Sequence, residues 1–261
     1  MKKFSTLLLS LVIFISCQKK EIIIDQEAMT SLGSKYKNEF LDLAKMYKSQ
    51  IAEDSSNVDA YIGYADAYIL LYVFGYLPRE IAIEEARNAL NEIEKTGVVT
   101  SEVYKISGVL SFIDWKWKES KRAFLKAIKE DPENLSARHW YSLWLIAMND
   151  IDGAMAQSDT IMSMDSDNNF LIGRASLLYF QYRFEEMKTL MFKSIELEPE
   201  VPWSYDWLGM AYNGLKEHDE AINTYLKAFK LSDGTVEVGG GLGHALGDAG
   251  EYEKAKQLAD Y

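Results

Sequence analysis

Small residues recur about every 34 positions along most of this 261-residue chain. One series, with separations of 43, 34, 33, 34 and 34 residues, comprises Ala65, Gly108, Ser142, Ala175, Gly209 and Gly243. A second series of similar period comprises Leu43, Ala86, Ser120, Ala154, Met187, Ala221 and Ala255. Small side chains let two helix backbones approach closely, and such a period is typical of stacked supersecondary units. The two series therefore predict helical pairs, with one series on each helix of a pair.

Proline marks the end of the second helix in two of the units. Pro132 and Pro199 follow the segments KAIKED and SIELE, and proline cannot continue a helix because it lacks the backbone N–H. We therefore predict an all-α chain of about six helical pairs, with an incomplete unit at each end. No polar capping helix follows the last unit, so we expect that the end near Tyr261 docks on another molecule or that the chain is abbreviated.

The first full unit is longer than the others by roughly nine residues, from Asn57 to about Thr100. The extra segment ILLYVFGYLPRE, residues 69–80, is apolar and aromatic until Pro78. Proline is favoured at helix starts, so we expect the next helix to begin here. The composition favours a lengthened first helix packed on its neighbour over a loop that docks a partner.

The motif of one unit resembles the tetratricopeptide repeat. In the stretch YDWLGMAYNGLKEHDEAINTYLKAFKLSD, the matching residues are Leu208, Gly209, Tyr212, Ala221, Tyr225 and Ala228. The resemblance implies a right-handed superhelical solenoid of helix-turn-helix repeats, in which each unit is too small to fold alone.

A more specific resemblance extends over about residues 58 to 260. It is carried by the segments IDWKW (113–117), AF (123–124), DP (131–132), ARHWY (137–141), LSDG (231–234) and LGHA (242–245). These look like the repeat array found C-terminal to winged-helix regulators, adenylate cyclases and TolB-like or kinase signalling domains. In those proteins the array is a sensory or protein-binding module. No such effector domain precedes the array in this sequence, so the resemblance implies a binding role and not DNA regulation.

The amino-terminal segment has the pattern of an export signal. Lys2 and Lys3 precede an uncharged run of 13 residues, FSTLLLSLVIFIS, which ends at Ser16. As a helix this run would extend about 20 Å, whereas a bilayer core is about 30 Å thick. A charged start, a short apolar stretch and a final small residue are typical of a signal peptide.

Cys17, the single cysteine of the chain, follows this run directly. Ile15-Ser16-Cys17 resembles the end of a bacterial lipobox, which implies that Cys17 is the lipid-attachment residue and is multiply acylated. An ordinary signal peptide with an incidental cysteine is the alternative. The resemblance divides the chain into a signal peptide (1–16), a tether (17–24) and the repeat array (25–261). It implies a lipid-anchored protein of the bacterial cell envelope, with the periplasmic side of the outer membrane favoured.

The net charge and the placement of the histidines argue against nucleic-acid binding, metal binding and catalysis. The chain has 28 Lys and Arg against 40 Asp and Glu, a net charge of −12 that repels phosphate backbones, so we expect no nucleic-acid partner. His139, His218 and His244 lie at different places in three repeats, and none has a second histidine at helical spacing. We therefore predict no metal site, no cofactor and no catalytic residues. His139 is interpreted as a packing or groove residue, and His218 as a solvated turn residue.

The first helices of stacked pairs line a concave groove, which repeat proteins usually offer to partners. Repeat proteins that grip a C-terminal carboxylate use Lys and Asn at set groove positions, whereas this chain has Lys105 but Val109. We therefore predict a protein or peptide partner with an apolar segment. The alternative is that the inward side chains are helix-helix core or are covered by residues 21–40. The predicted groove residues are Phe112, Ile113, His139, Leu143, Ile146, Ile172, Tyr179, Phe180, Trp203 and Met210.

The leading functional prediction is a non-catalytic, lipid-anchored scaffold or adaptor. An outer-membrane protein assembly lipoprotein, in which about five such repeats follow an acylated cysteine, is the main alternative. A sugar-capturing helical lipoprotein would need a much larger chain to build its site.

Overall fold

The computed structural model describes residues 34–164, 168–232 and 236–259. The predicted signal peptide, Cys17 and the tether lie outside the described residues. The described part contains thirteen helices and no strand, which confirms the all-α prediction. None of the helices in these ranges is long and apolar enough to cross a membrane.

The described helices range from 8 to 20 residues and are joined by short connections. In chain order they are α1 (Ser34–Glu53), α2 (Val58–Val73), α3 (Arg79–Thr96), α4 (Ser101–Ile113), α5 (Trp117–Glu130), α6 (Leu135–Ala147), α7 (Ile151–Met164), α8 (Asn168–Phe180), α9 (Phe184–Leu197), α10 (Pro202–Gly214), α11 (His218–Ser232), α12 (Val236–Asp248) and α13 (Tyr252–Ala259).

The helices form six antiparallel pairs, from α2/α3 to α12/α13, with α1 packed in front of the first pair. The first helix of each pair also contacts the first helix of the next, so α2, α4, α6, α8, α10 and α12 run side by side along one face. This stacking is the geometry of a right-handed superhelical solenoid, and it places the first helices on the concave face. The fold class predicted from the 34-residue period is confirmed.

The crossing of α4 and α5 shows why small residues recur. A Cβ atom at Gly108 would lie 2.6 Å from two ring carbons of Phe124, whose side chain is fully buried. The hydroxyl of Ser120 on α5 donates to the carbonyl oxygen of Gly108 at 2.9 Å. Gly209 and Tyr225 repeat the arrangement at the α10/α11 crossing, where the closest approach to a Cβ would be 2.9 Å. A large ring of the second helix thus occupies the space that the small residue leaves.

The second series of repeat positions is fully buried in five units, partly buried at Ala255 in α13 and wrong in α1. Leu43, the predicted first member of that series, is 41% exposed, whereas Ala44 is 3% exposed. Helix α1 packs on α2 in a register one residue away from the period, so it is not a regular second helix of the array. The five fully buried members are Ala86, Ser120, Ala154, Met187 and Ala221.

The extra length of the first pair is shared between its two helices. Helix α2 has 16 residues and α3 has 18, against 13 in α4 and 14 in α5. The prediction of a lengthened first helix is confirmed, with Ile69 and Leu71 buried in the core. Part of the additional length also extends α3.

The loop between α2 and α3 joins the first pair to the fifth. The ring of Phe74 stacks on that of Trp203 at the start of α10, with ring centroids 4.5 Å apart and planes inclined by 13°. Phe40 of α1 stacks on the same Phe74 at 5.7 Å, and Tyr76 meets Trp203 edge-on at 6.3 Å. We call these four rings, Phe40, Phe74, Tyr76 and Trp203, the aromatic strap. Three helical pairs lie between the segments that the strap joins, so it fixes the curvature of the solenoid.

A candidate protein-binding cleft

An aromatic cleft of about 520 Å³ opens where α2, α4 and α6 lie side by side. It contains three of the predicted groove residues, Phe112, Ile113 and Leu143, and the cation beside them is Arg79 at the start of α3. The other residues that line the cleft are Tyr72, Val73, Trp115, Trp117 and Trp140. A concave, mostly aromatic surface with one charged group is typical of sites that bind ligands or peptides.

The turn between α4 and α5 places Trp115 at the mouth of the cleft. Trp115 has a left-handed backbone with φ of 61°, and its side chain is 74% exposed. Asn149, Tyr182 and Lys216 hold the same turn position in later pairs with φ between 58° and 66°. The left-handed conformation therefore belongs to the turn itself, and both Trp115 and Tyr182 present a large exposed ring there.

Trp117 and Trp144 secure the floor of the cleft. The indole N–H of Trp144 donates to the carbonyl oxygen of Trp117 at 3.1 Å, which ties α6 to the start of α5. The ring of Trp117 meets those of Trp115 and Phe112 edge-on, at 5.3 and 5.7 Å. Because these rings pack on one another, little of their conformational entropy would be lost on binding.

The rim of the cleft is positively charged around one carboxylate. Asp114 accepts from Arg79 at 2.8 Å, from Arg87 at 3.1 Å and from Lys116 at 3.2 Å. Burial raises the pKa of Asp114, but the hydrogen bond from Lys116 and the charge of Arg87 outweigh that effect and hold the pKa below its ordinary value. Asp114 is therefore ionised at neutral pH and fixes the three cations beside the cleft.

A second aromatic surface surrounds the turn between α8 and α9. The predicted groove residues Tyr179 and Phe180 are 39% and 52% exposed, and Tyr182 beside them is 81% exposed. Their rings and that of Phe184 meet edge-on at 5.6 to 6.0 Å. Tyr179 also lines a smaller cavity of about 290 Å³ with the predicted residue Met210.

The three histidines lie apart from one another. His139 packs on the backbone of Gly173 in α8, and burial lowers its pKa to about 4, so it is neutral at physiological pH. His218 begins α11 and is half-buried with no partner for its Nδ1 among the described residues, so the prediction of a solvated residue is wrong. His244 is exposed beside Asn213 and Asp248. Within the described ranges, no three His, Cys, Asp or Glu side chains come together as metal ligands do.

The remaining predicted groove residues are partly covered by the protein itself. Ile146 packs against the core of the first three pairs, and Ile172 is half-buried on α8. Trp203 belongs to the aromatic strap, where Phe74 covers one face of its ring. The ten residues are therefore divided between the aromatic cleft, the second aromatic surface and packing positions, and they do not form one continuous groove.

Lys105 is held within the protein at the position where a carboxylate clamp would need it. Its ammonium group lies 2.7 Å from Asp66 and 2.5 Å from Glu102, and only 4% of its side chain is exposed. Burial lowers the pKa of Lys105, but the two carboxylates outweigh that effect and raise it above the ordinary value. Val109, one turn further along α4, is 1% exposed. The charge of Lys105 is therefore already paired with carboxylates of the protein itself.

Comparison with known proteins identifies the same kind of helical repeat that the structure shows. Residues 204–234, which cover most of α10 and all of α11, match the tetratricopeptide repeat family. The fold is a tetratricopeptide repeat solenoid. A search of curated proteins with this sequence found no match.

Three solved structures illustrate the likeness of the solenoid. The APC/C hetero-tetramer Cut9-Hcn1 matches with a TM-score of 0.69 at 17% identity, over 85% of this chain and 42% of that chain. PilF of Pseudomonas aeruginosa matches with a TM-score of 0.54 at 21% identity, over 61% of this chain and 73% of that one. The tetratricopeptide repeat protein TTC0263 of Thermus thermophilus matches with a TM-score of 0.57 at 17% identity, over 61% and 88%. At these identities the likeness concerns the fold, and this chain spans less than half the length of its Cut9-Hcn1 match.

The sequence-based prediction missed six of the nine residues that line the cleft: Tyr72, Val73, Arg79, Trp115, Trp117 and Trp140. Trp115 lies in the turn after α4 and Trp117 is the first residue of α5, so neither occupies an inward position of a first helix. The signal that could have identified these two residues is the IDWKW segment itself, in which two tryptophans stand two positions apart at a turn between helices.

Proposed function

We propose that the solenoid is a non-catalytic scaffold that binds a partner protein through the aromatic cleft. The observation that carries this proposal is the cleft itself, a preformed concavity of about 520 Å³ lined by Trp115, Trp117 and Trp140. Exposed aromatic anchors in such a pocket dominate the energy of many protein interfaces. The sequence resemblance to sensory and protein-binding arrays supports the same role, since the IDWKW and ARHWY segments that carry it contribute Ile113, Trp115, Trp117 and Trp140 to the cleft.

The partner segment is expected to be apolar. Tyr72, Phe112, Ile113 and Leu143 offer rings and aliphatic groups, and burial of such surface stabilises a complex by about 25 cal/mol per Å² before the entropy cost of association. A free C-terminal carboxylate is not the expected anchor, because Lys105 is already paired with Asp66 and Glu102.

Site-specific photocrosslinking tests the cleft assignment. A photoreactive phenylalanine analogue replaces Trp115 at the cleft mouth, and in a control chain it replaces Phe192, a 45% exposed ring on the second helix α9. We expect a discrete crosslinked partner from position 115 in cells and none from position 192. Equal labelling from both positions, or none from 115, would contradict the assignment.

We also propose that the protein is anchored to the bacterial envelope through acylated Cys17, on the periplasmic side of the outer membrane. The support is the sequence, in which the lipobox-like residues Ile15 and Ser16 precede the single cysteine. Two or more acyl chains are needed for stable anchoring, since one chain binds a membrane only marginally. The test is metabolic labelling with radioactive palmitate, followed by membrane fractionation of the wild type and of Cys17→Ala. Equal label or equal membrane retention in the variant would contradict this proposal.

A further inference from the structure

The rim of the aromatic cleft carries more positive charge than its own carboxylate neutralises. Arg79, Arg87 and Lys116 all converge on Asp114 at 2.8 to 3.2 Å. Among the described residues, no other carboxylate lies within 4.0 Å of these three cations. Three cations on one carboxylate leave an excess of positive charge beside an apolar pocket.

The helix that begins at this rim extends the positive surface. Helix α5 contains five basic residues and two acidic ones, and four of the basic residues are Lys118, Lys121, Arg122 and Lys126, all exposed. The whole chain has a net charge of −12, so this local excess has the opposite sign to the rest of the protein. The negatively charged remainder of the protein repels an acidic ligand, whereas the positively charged rim attracts it.

The charged rim and the aromatic floor belong to one surface. Arg79 lines the cleft and contacts Asp114, while Trp115 stands between Asp114 and Lys116 in the chain with 74% of its side chain exposed. A ligand that buries apolar groups against the tryptophans would bring its neighbouring residues to the cations. The surface therefore suits an amphipathic segment with negative charge next to its apolar groups.

We propose that the aromatic cleft binds a segment of a partner protein in which apolar or aromatic side chains are flanked by Asp or Glu. The inference rests on the proposed function and adds to it the chemistry of the partner. Acidic residues steer the segment to the rim and fix its orientation, whereas the apolar side chains supply most of the affinity.

The test selects ligands from a random-peptide display library with the full chain as the target. Enriched peptides are then synthesised, labelled with fluorescein and titrated by fluorescence anisotropy against the wild type and three variants. Trp115→Asn removes the exposed ring and keeps a residue that Asn149 shows to fit this turn. The double variant Arg79→Gln with Lys116→Gln removes two rim charges and leaves Arg87 on Asp114. The matched control, Lys193→Gln with Lys230→Gln, removes two exposed charges from α9 and α11.

We expect enrichment of peptides with acidic residues beside aromatic or aliphatic ones. Binding should weaken about tenfold in the rim variant, weaken at least as much in Trp115→Asn, and stay unchanged in the control. It should also weaken as the salt concentration rises.

Two outcomes separate this inference from the function on which it rests. Peptides that lose affinity for Trp115→Asn but carry no acidic residues, or bind the rim variant normally, would overturn the charge inference and leave the cleft as the binding site. Peptides that bind Trp115→Asn as tightly as the wild type would overturn both. Displacement of the peptides by a single-stranded oligonucleotide would assign the basic rim to nucleic acid and equally overturn the inference.

Discussion

Alanine at Gly108 should destabilise the solenoid, although alanine is the better helix former. The new Cβ would lie 2.6 Å from Cδ1 and Cε1 of Phe124, whereas carbon atoms in contact are optimally about 3.5 to 4.0 Å apart. The ring is fully buried, so it cannot move aside into solvent. Overpacking of this kind costs about 1 to 3 kcal/mol, and the gain in helix propensity offsets about 1 kcal/mol of it. We expect a net loss of up to about 2 kcal/mol in the free energy of unfolding.

Gly240 provides the matched control for this substitution. It lies in helix α12, it is exposed, and a Cβ built there has no atom within 4 Å. Gly240→Ala should therefore stabilise the protein by about 0.5 to 1 kcal/mol. The measurement is urea denaturation of both variants and the wild type, followed by far-ultraviolet circular dichroism.

A double-mutant cycle identifies the cause of the Gly108 effect. Phe124→Leu gives the new methyl group room, so Gly108→Ala should be less destabilising in that background than in the wild type. If Gly108→Ala stabilises the chain as Gly240→Ala does, or if the two changes at the crossing are strictly additive, the crossing argument is refuted.

Three further perturbations address other parts of the structure. Phe74→Ala removes the stack on Trp203 and should lower the free energy of unfolding by about 2 kcal/mol and increase the radius of gyration in X-ray scattering, whereas Ile81→Ala, at a 53% exposed position, should do neither. Lys105→Met leaves Asp66 and Glu102 without their shared cation and should cost about 2 kcal/mol in urea denaturation, against less than about 0.5 kcal/mol for exposed Lys121→Met. His139 binds a proton more weakly in the folded state than in the unfolded state, so stability should fall as the pH drops from 6.5 towards about 4, by up to about 3 kcal/mol. Urea midpoints across this window should change less in His139→Gln, and an equal slope in both proteins would show that another group is responsible.

The 34-residue period was sufficient to predict the architecture because it arises from a packing requirement within each helical pair. Wherever two helices of a pair cross, one must present a small residue, and Gly108 and Ala175 satisfy that requirement within their own units. Prolines and turn residues at fixed offsets then set the helix ends. Leu43 fell outside the pattern because α1 packs on a single neighbour and is not constrained by the repeat.

The candidate site was only partly predictable for the same reason. Inward offsets on the first helices identified Phe112, Ile113 and Leu143, because those positions follow from helical periodicity alone. They could not identify Trp115, whose position depends on the turn, or Arg79, which reaches the cleft from the first residue of α3. Arg79 and Arg87 are 35 and 27 positions before Asp114 in the chain, so no local pattern predicts that they pair with it.

The sequence by itself determined the helical pairs, their number and their order of stacking, since each depends on contacts within a unit or between adjacent units. Only the tertiary structure decided which surfaces stay open. The stack of Phe74 on Trp203 depends on the accumulated rotation of the intervening pairs, as does the meeting of the rim cations with the aromatic rings of the cleft. A small rotation added at every unit is a property of the assembled solenoid, and it decides which inward residues face a partner and which face the protein itself.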